Sequence, residues 1–487
     1  MDTEKRQNLR EYISRQIITA DERTQRYIYN PSNNSKNPNR NCFVSLRQYI
    51  NDYQVQGRHD VRMVILHGLR GSGKTTLLAQ TYNILGRIDQ ENKLFISLDE
   101  VSRVLNASLS DILDVYEDFL ENSFAQLRQP VFLFLDEVHF DKNWATALKI
   151  LYDKTDKVFV IATGSNALSL QNTPDLARRS HSIELYPMKF PEYMTIKHNL
   201  FPIKGLSERI KNSIFDSNSA TEIYNNIQQV THSVQGYWSN IKYWEKEVDN
   251  YIKYGNLPFA TQSENKILIT EQVSQILHRI ITVDMPQNGN FSLDIIDKMP
   301  SLLYILASSD QCNLSKICTT IETTRPTLTS VLGALEKTGL IWRLYPYASH
   351  YRQVRQPSKY LFTSPIFRMV YFTLTESIIQ DNSKQAGKLF EDTIGLILKK
   401  EKFFSEYRSL TYDSATGGAD FIVQKDDKTF VIEVGYGQKR IDQVLKTMRS
   451  HKTLQEKSIG VVVSKKPLKL HQEFNIIEIP ITYFLLI

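Results

Sequence analysis

The sequence predicts an α/β fold: a parallel sheet with helices on both faces, then a helical lid, a winged helix and a small second α/β domain. Three observations predict it. From Val61 short apolar strands (VRMVILHG, KLFISLD, VFLFLDE, KVFVIATG) alternate with helical stretches, the pattern of a parallel sheet buried on both faces. From about 206 the texture is helical and Asn-rich, and from 301 a helix-turn-helix periodicity appears. From about 381 a second α/β pattern begins with GKLFEDTIGLILKK and ends in the strands SIGVVVS and FNIIEIPITYFLL. With 487 residues, at about 150 per domain, several cores are expected. The boundaries read as 1–60, 61–205, 206–300, 301–378 and 379–487. The first segment reads as two helices around a polar loop, Tyr29 to Asn41, expected to be mobile.

Composition narrows the class. Apolar residues make up 41% of the chain and charged residues 23%, which excludes disordered and collagen-like chains. No run of 18 apolar residues exists, and MDTEKRQNLREYISRQ lacks an apolar core, so neither a membrane span nor a signal peptide is expected. Cys42, Cys312 and Cys318 are not spaced for zinc and are read as reduced thiols of a cytoplasmic protein.

Gly68-Leu69-Arg70-Gly71-Ser72-Gly73-Lys74-Thr75 matches GxxxxGK[ST] between an apolar strand and the helical stretch TTLLAQTYNIL. Glycines let backbone N–H groups turn inward around phosphate oxygens, and the helix presents its positive end to the anion. Lys74 reaches the β- and γ-phosphates of ATP, Thr75 offers its hydroxyl to Mg²⁺, and Thr76 completes the nucleotide-binding set. The apolar run Val131–Leu135 ends in Asp136-Glu137. Asp136 is expected at the Mg²⁺ shell and Glu137 at the attacking water. One strand, Lys93–Leu98, separates the phosphate loop from this acidic strand in sequence, the mark of additional-strand P-loop ATPases. In that class the next strand carries a polar sensor of the γ-phosphate. Ser165 is the first choice, with Thr163 and Asn166 as rivals.

The stretch TGSNALSL…DLARRSHSIELYPMKFPEY resembles a group of prokaryotic AAA+-like ATPases, in which a TGS strand end precedes a Gly-Arg pair and an L-x-P-h-S-F-x-E-F run, h being apolar. Arg179 falls at the family's Arg, Arg178 replaces the Gly, and Lys189 replaces the Ser before Phe190. The resemblance continues through YIKYGNLPFA, TGLIWRLYPY and PSKYLFTSPIFRMVY and covers roughly residues 55–487. It implies a finger role for Arg179 on the γ-phosphate of a neighbouring subunit, hence a homo-oligomer. The alternative is an Arg paired with an acid at a domain joint. It also implies a C-terminal PD-(D/E)xK nuclease-like domain. Glu391, Asp420 and Glu433 match its three acids, whereas Gly435 stands where its Lys belongs. Gln438 or Lys439 would have to reach back, and Gly435→Lys is expected to restore the set. Without the Lys, a degenerate fold that does not cut DNA is favoured.

Between Gln311 and Phe372 eight basic residues face only Glu322 and Glu336, a surplus as large as the net charge of +6 for the whole chain. The helix Thr327–Thr338 buries Leu328, Val331, Leu332 and Leu335, and two strands, Leu340–Tyr347 and Lys359–Thr363, would form a wing. Arg325, Lys337, Arg343, Arg352 and Arg355 are the DNA-contact candidates; a packing module is the alternative. The first functional reading is an Mg²⁺-dependent ATPase coupling nucleotide state to a DNA-associated task, with defence or mobile-element control among such tasks. An ATP-gated nuclease and a signalling switch acting through protein contacts are the competing classes.

Overall fold

The computed structural model describes residues 1–30, 34–55, 57, 60–164, 176, 178–349, 351, 353, 356–375, 382–401, 410–435, 440–455 and 457–487. They form two compact units, Met1–Tyr186 and Pro187–Ile487.

In the first unit the elements run α1 (Thr3–Ile28), α2 (Phe43–Val55), β1 (Met63–His67), α3 (Lys74–Asn83), β2 (Lys93–Ser97), α4 (Leu98–Val104), α5 (Leu109–Phe119), β3 (Val131–Asp136), α6 (Trp144–Lys154), β4 (Val158–Gly164) and β5 (His181–Glu184). All strands are parallel, in the order β2-β3-β4-β1-β5. Strand side chains alternate between faces, and both faces are covered. Met63, Ile65, Leu133, Leu135, Val160 and Ala162 pack with α4, α5 and α6. Val64, Leu66, Phe132, Phe134, Phe159 and Ile161 pack with α2 and α3. This two-sided burial is why the strands read as continuous apolar runs.

Helix α1 contributes to both layers, Leu9, Tyr12, Ile13 and Ile17 to one and Ala20 and Ile28 to the other. Asp2 caps it, its carboxylate accepting from Lys5 N at 2.7 Å. The segment 1–60 is therefore part of the first core rather than a separate domain, and the unit ends at Tyr186, not at 205. The loop expected to be mobile is tied to the phosphate-loop helix: Gln80 Nε2 donates to Asn37 O at 2.9 Å.

The second unit contains α7 (Phe190–His198), α8 (Leu206–Phe215), α9 (Ala220–Ser239), α10 (Trp244–Tyr254), α11 (Lys266–Arg279), α12 (Leu293–Asp297), α13 (Met299–Ser308), α14 (Leu314–Thr320) and α15 (Arg325–Lys337). Then come β6 (Ile341–Pro346), β7 (Lys359–Phe362), α16 (Pro365–Thr375), α17 (Asn382–Lys400), β8 (Leu410–Tyr412), β9 (Phe421–Lys425), β10 (Lys428–Val434), α18 (Arg440–Ser450), β11 (Ser458–Ser464), β12 (Lys469–His471) and β13 (Ile476–Pro480). One mixed sheet joins all eight strands in the order β12-β13-β11-β10-β9-β8-β6-β7. The hairpin β6–β7, expected as the wing of a separate domain, pairs in parallel with β8 through Tyr345↔Thr411 and Pro346↔Tyr412. A shared ladder of backbone hydrogen bonds crosses position 378/379, so the three segments expected between 206 and 487 stand inside one compact unit.

Candidate functional site

Strand β1 ends at His67, and the loop 68–73 feeds α3 at Lys74. Gly68 has φ +149°, and a Cβ there would lie 2.4 Å from Leu185 O, so the loop passes β5's exit with room for hydrogen only. Lys74 is buried, its ammonium donating to Gly68 O at 2.9 Å and Leu69 O at 3.1 Å. Leu69 is buried beneath the loop, whereas Arg70, Gly71, Gly73, Thr75 and Thr76 are half-exposed along it. Ser72 Oγ is buried without a hydrogen-bond partner. From below, Arg40 Nη1 donates to Ser72 O at 2.5 Å and Arg40 Nη2 to Tyr186 O at 2.8 Å. Arg40 was invisible to motif reading, being 32 residues from Ser72 in a polar loop.

The sheet order completes the site. The strand between β1 and β3 is β4; the strand that intervenes in sequence, Lys93–Ser97, is β2 at the sheet edge. Thr163 at the end of β4 therefore stands beside Asp136 at the end of β3. Thr163 Oγ1 donates to one Asp136 oxygen, Thr75 Oγ1 to the other at 2.9 Å, and Glu137 N donates to Thr163 Oγ1 at 3.0 Å. Thr163 thus positions both acids. Its rivals Ser165 and Asn166 lie outside the described residues. Glu137 has φ +54°, a left-handed turn that takes the chain out of β3, and its Oε2 is 3.2 Å from His139 Nδ1. Burial and then the Glu137 charge push the Asp136 carboxyl up to about 6, against the Thr163 and Thr75 hydrogen bonds and the Lys74 charge.

These residues fit a nucleotide and a divalent cation. The buried Ser72 hydroxyl and the Lys74 ammonium resting on its own loop's carbonyls are groups that phosphate oxygens would meet, and the buried Asp136 carboxyl, held by the Thr75 hydroxyl, is a group that a cation would meet.

Arg179 makes a bidentate pair within its own unit, Nε to Asp153 Oδ1 at 2.7 Å and Nη2 to Oδ2 at 3.0 Å. This is the acid-pairing arrangement. Arg179→Ala is expected to leave ATP affinity unchanged; a drop in turnover that depends on protein concentration would mark the finger role, and a concentration-independent effect shared with Asp153→Ala the structural one. Lys189, where the family has Ser, pairs with Glu401 and donates to Ile487 O at 3.2 Å.

In the second unit Glu391, Asp420 and Glu433 line one cavity of about 480 Å³. The expectation that this site lacks a lysine is overturned. Lys359 Nζ, from β7, bridges Glu391 and Asp420, lying 3.0 Å from Asp420 Oδ1, and Lys388, one turn before Glu391, pairs with Asp310. Burial, then the charges of Arg368 and Lys359, lower Lys388 to about 8 against Asp310. Asp420 N donates to Glu433 Oε2 at 3.3 Å and Val434 N to Asp420 Oδ2 at 3.0 Å. Among the described residues no group of three or more His, Cys, Asp or Glu side chains is arranged to hold a metal ion. Gly435 has φ +132°, so a Lys at that position would be strained and Gly435→Lys is not the repair the motif suggests. Gln438 and Lys439 lie outside the described residues.

Two of the eight basic residues at 311–372 are withdrawn from the surface. Arg368 is fully buried against Asp392, and Lys359 is buried against Glu391 and Asp420, acids that lie beyond the window. Arg343 Nε donates to Ser358 Oγ at 2.8 Å and its guanidinium stacks 4.5 Å from the Tyr345 ring. Lys337 is half-buried, Arg325 and Lys316 are exposed, and Arg352 and Arg355 lie outside the described residues.

Residues 60–194 match a family model described as an AAA domain, and residues 245–365 one described as a domain of unknown function (DUF8612). An uncharacterized protein of Methanocaldococcus jannaschii, MJ1637, is 33% identical over 433 residues, covering 87% of this chain and 85% of that protein. An uncharacterized protein of Haemophilus influenzae is 22% identical over 409 residues, covering 81% of this chain and 87% of that protein. Among solved structures, the Thermotoga maritima RuvB Holliday junction branch migration motor is similar at 15% identity over 62% of this chain and 88% of that one, with a TM-score of 0.26, too low to carry an argument. No helix among the described residues is long and apolar enough to cross a membrane. The parallel sheet, the phosphate loop and the AAA-domain match make residues 60–194 a P-loop AAA domain, and the chain belongs to the family of MJ1637.

Proposed function

We propose that the protein hydrolyses ATP with Mg²⁺ and couples its nucleotide state to a task on DNA, of the kind that defence or mobile-element control requires. The hydrogen-bonded corner Thr75–Asp136–Thr163–Glu137, facing the Lys74 loop, carries the reading. Backbone N–H groups of 68–75 and Lys74 would hold the phosphates; Thr75 and Asp136 would hold the cation, which supplies charge neutralisation on the phosphates. Glu137 would accept a proton from the attacking water, and the Thr163 hydroxyl keeps its backbone in place.

The test is the ATPase rate of the full chain with and without DNA, alongside DNA integrity in Mg²⁺ and Mn²⁺. Metal-dependent hydrolysis that changes with DNA supports the reading; a rate no higher in the intact protein than in Lys74→Ala overturns it. The cavity of Glu391, Asp420 and Glu433 favours a second reading, an ATP-gated nuclease. With Lys359 pairing two of the three acids, intact duplex DNA is expected in both metals. Cutting that Glu433→Gln removes would support the nuclease instead.

A further inference from the structure

A separate concavity of about 680 Å³ in the second unit lies among α10, the start of α11 and the turn after β11. Lys246, Lys253, Lys266, Lys465 and Lys466 border it, against Glu245 and Asp249. Asp249 is shared by two of these lysines, with Lys253 Nζ at 3.2 Å and Lys465 Nζ at 3.5 Å, so the local field is positive. The lysines come from two distant stretches, 246–266 and 465–466, which only the fold brings together, and none lies in 311–372.

Trp244 lines the same concavity and is 37% exposed. Its ring packs edge-on against Trp238 at 5.5 Å, and Trp238 stacks on Phe190 at 5.0 Å. The exposed indole is thus braced by a buried aromatic cluster and offers a platform fixed in place. Tyr243 beside it is 65% exposed, with Lys242 Nζ 5.3 Å from its ring.

We propose that this concavity binds single-stranded nucleic acid, the ammonium groups meeting backbone phosphates and Trp244 stacking with a base. Ammoniums on flexible stems act as point charges that follow a bending backbone, without the bidentate geometry that arginine forks impose. A fixed aromatic face takes any unstacked base, which a duplex does not present. The proposal rests on the DNA-associated reading and names a surface for it outside the helix-turn-helix.

The test is fluorescence anisotropy of a labelled oligothymidylate with the full chain over a salt series. Lys465→Glu with Lys466→Glu is expected to weaken binding about tenfold or more at low salt and to flatten the log–log salt slope by about 1.4. Trp244→Leu is expected to weaken binding about tenfold without changing the slope. The denaturant melt of the second unit should be unchanged in both, which controls for folding. Binding equal to the parent in both variants overturns the proposal, as does a preference for duplex or an equal affinity for inorganic polyphosphate that ignores Trp244→Leu. Binding lost in Lys316→Glu with Arg325→Glu but kept in the Lys465/Lys466 variant overturns this site and leaves the DNA-associated reading standing. A chain that binds neither single strands nor duplex removes both.

Discussion

Glu137→Gln is expected to leave the protein loaded with ATP that it barely hydrolyses, whereas Lys74→Ala is expected to bind no ATP. The difference follows from what each side chain holds. Lys74 is buried, and its ammonium donates to the Gly68 and Leu69 carbonyls, partners that a triphosphate can replace. Removing it is expected to delete the buried point charge that would meet the phosphates. The Glu137 carboxylate holds no part of the loop. Thr163 accepts from its backbone N–H, and the hydrogen bond between Thr75 and Asp136, proposed to hold the cation, does not involve the side chain changed to Gln. Loss of a positioned base costs about 10²- to 10⁴-fold in turnover. Titration calorimetry with Mg·ATP, paired with phosphate release, separates the two. An equal loss of affinity in both variants would show that Glu137 belongs to binding and not to water activation.

Arg368→Ala is expected to destabilise the second unit by about 3–5 kcal/mol, the cost of leaving a buried charge without its partner. The guanidinium is 1% exposed and the Asp392 carboxylate 0%. Nε and Nη2 donate to the two Asp392 oxygens at 2.6 and 2.9 Å, and Nη1 donates to Ala307 O at 2.5 Å. Asp392 in turn accepts from Phe362 N at 3.1 Å, so the pair links α13, α16, α17 and β7. Replacing both partners together, Arg368→Met with Asp392→Leu, should recover much of the loss, because no desolvated charge then remains. Denaturant melts of the three proteins decide it: if the single variant costs no more than the double, the pair is not a linchpin of the unit.

Much of the nucleotide site was legible because its parts are contiguous or periodic. Gly68 to Thr75 is one turn of chain, and Asp136-Glu137 sits at the end of an apolar run whose length and composition mark a buried strand. Helix α15 was legible for the same reason: Leu328, Val331, Leu332 and Leu335 recur at helical spacing and are buried. Its first residue is Arg325, two positions before the expected Thr327, because the Thr324 hydroxyl supplies the cap, accepting from Thr327 N at 3.4 Å.

Charge was only partly legible, since two of the eight basic residues of 311–372 are buried in ion pairs. A surplus of basic residues in one window implies a basic surface only if the neutralising acids lie in the same window. Here Lys359 and Arg368 find Glu391, Asp392 and Asp420 on elements 24 to 61 residues away. The same folding fills the acid site with a lysine that no motif spacing shows.

By itself, then, the sequence determined the phosphate loop, the acidic strand and the two α/β patterns, because hydrogen-bonding period, apolar alternation and glycine turns act over a few neighbouring residues. Only the tertiary structure decided that β4 enters between β1 and β3 and brings Thr163 to Asp136, that Arg40 underpins Ser72, and that β6 pairs with β8 to merge two expected domains. It also decided which lysines face solvent and which face carboxylates. Each of these depends on which distant segments become neighbours, a choice made by burying whole faces rather than by any local spacing.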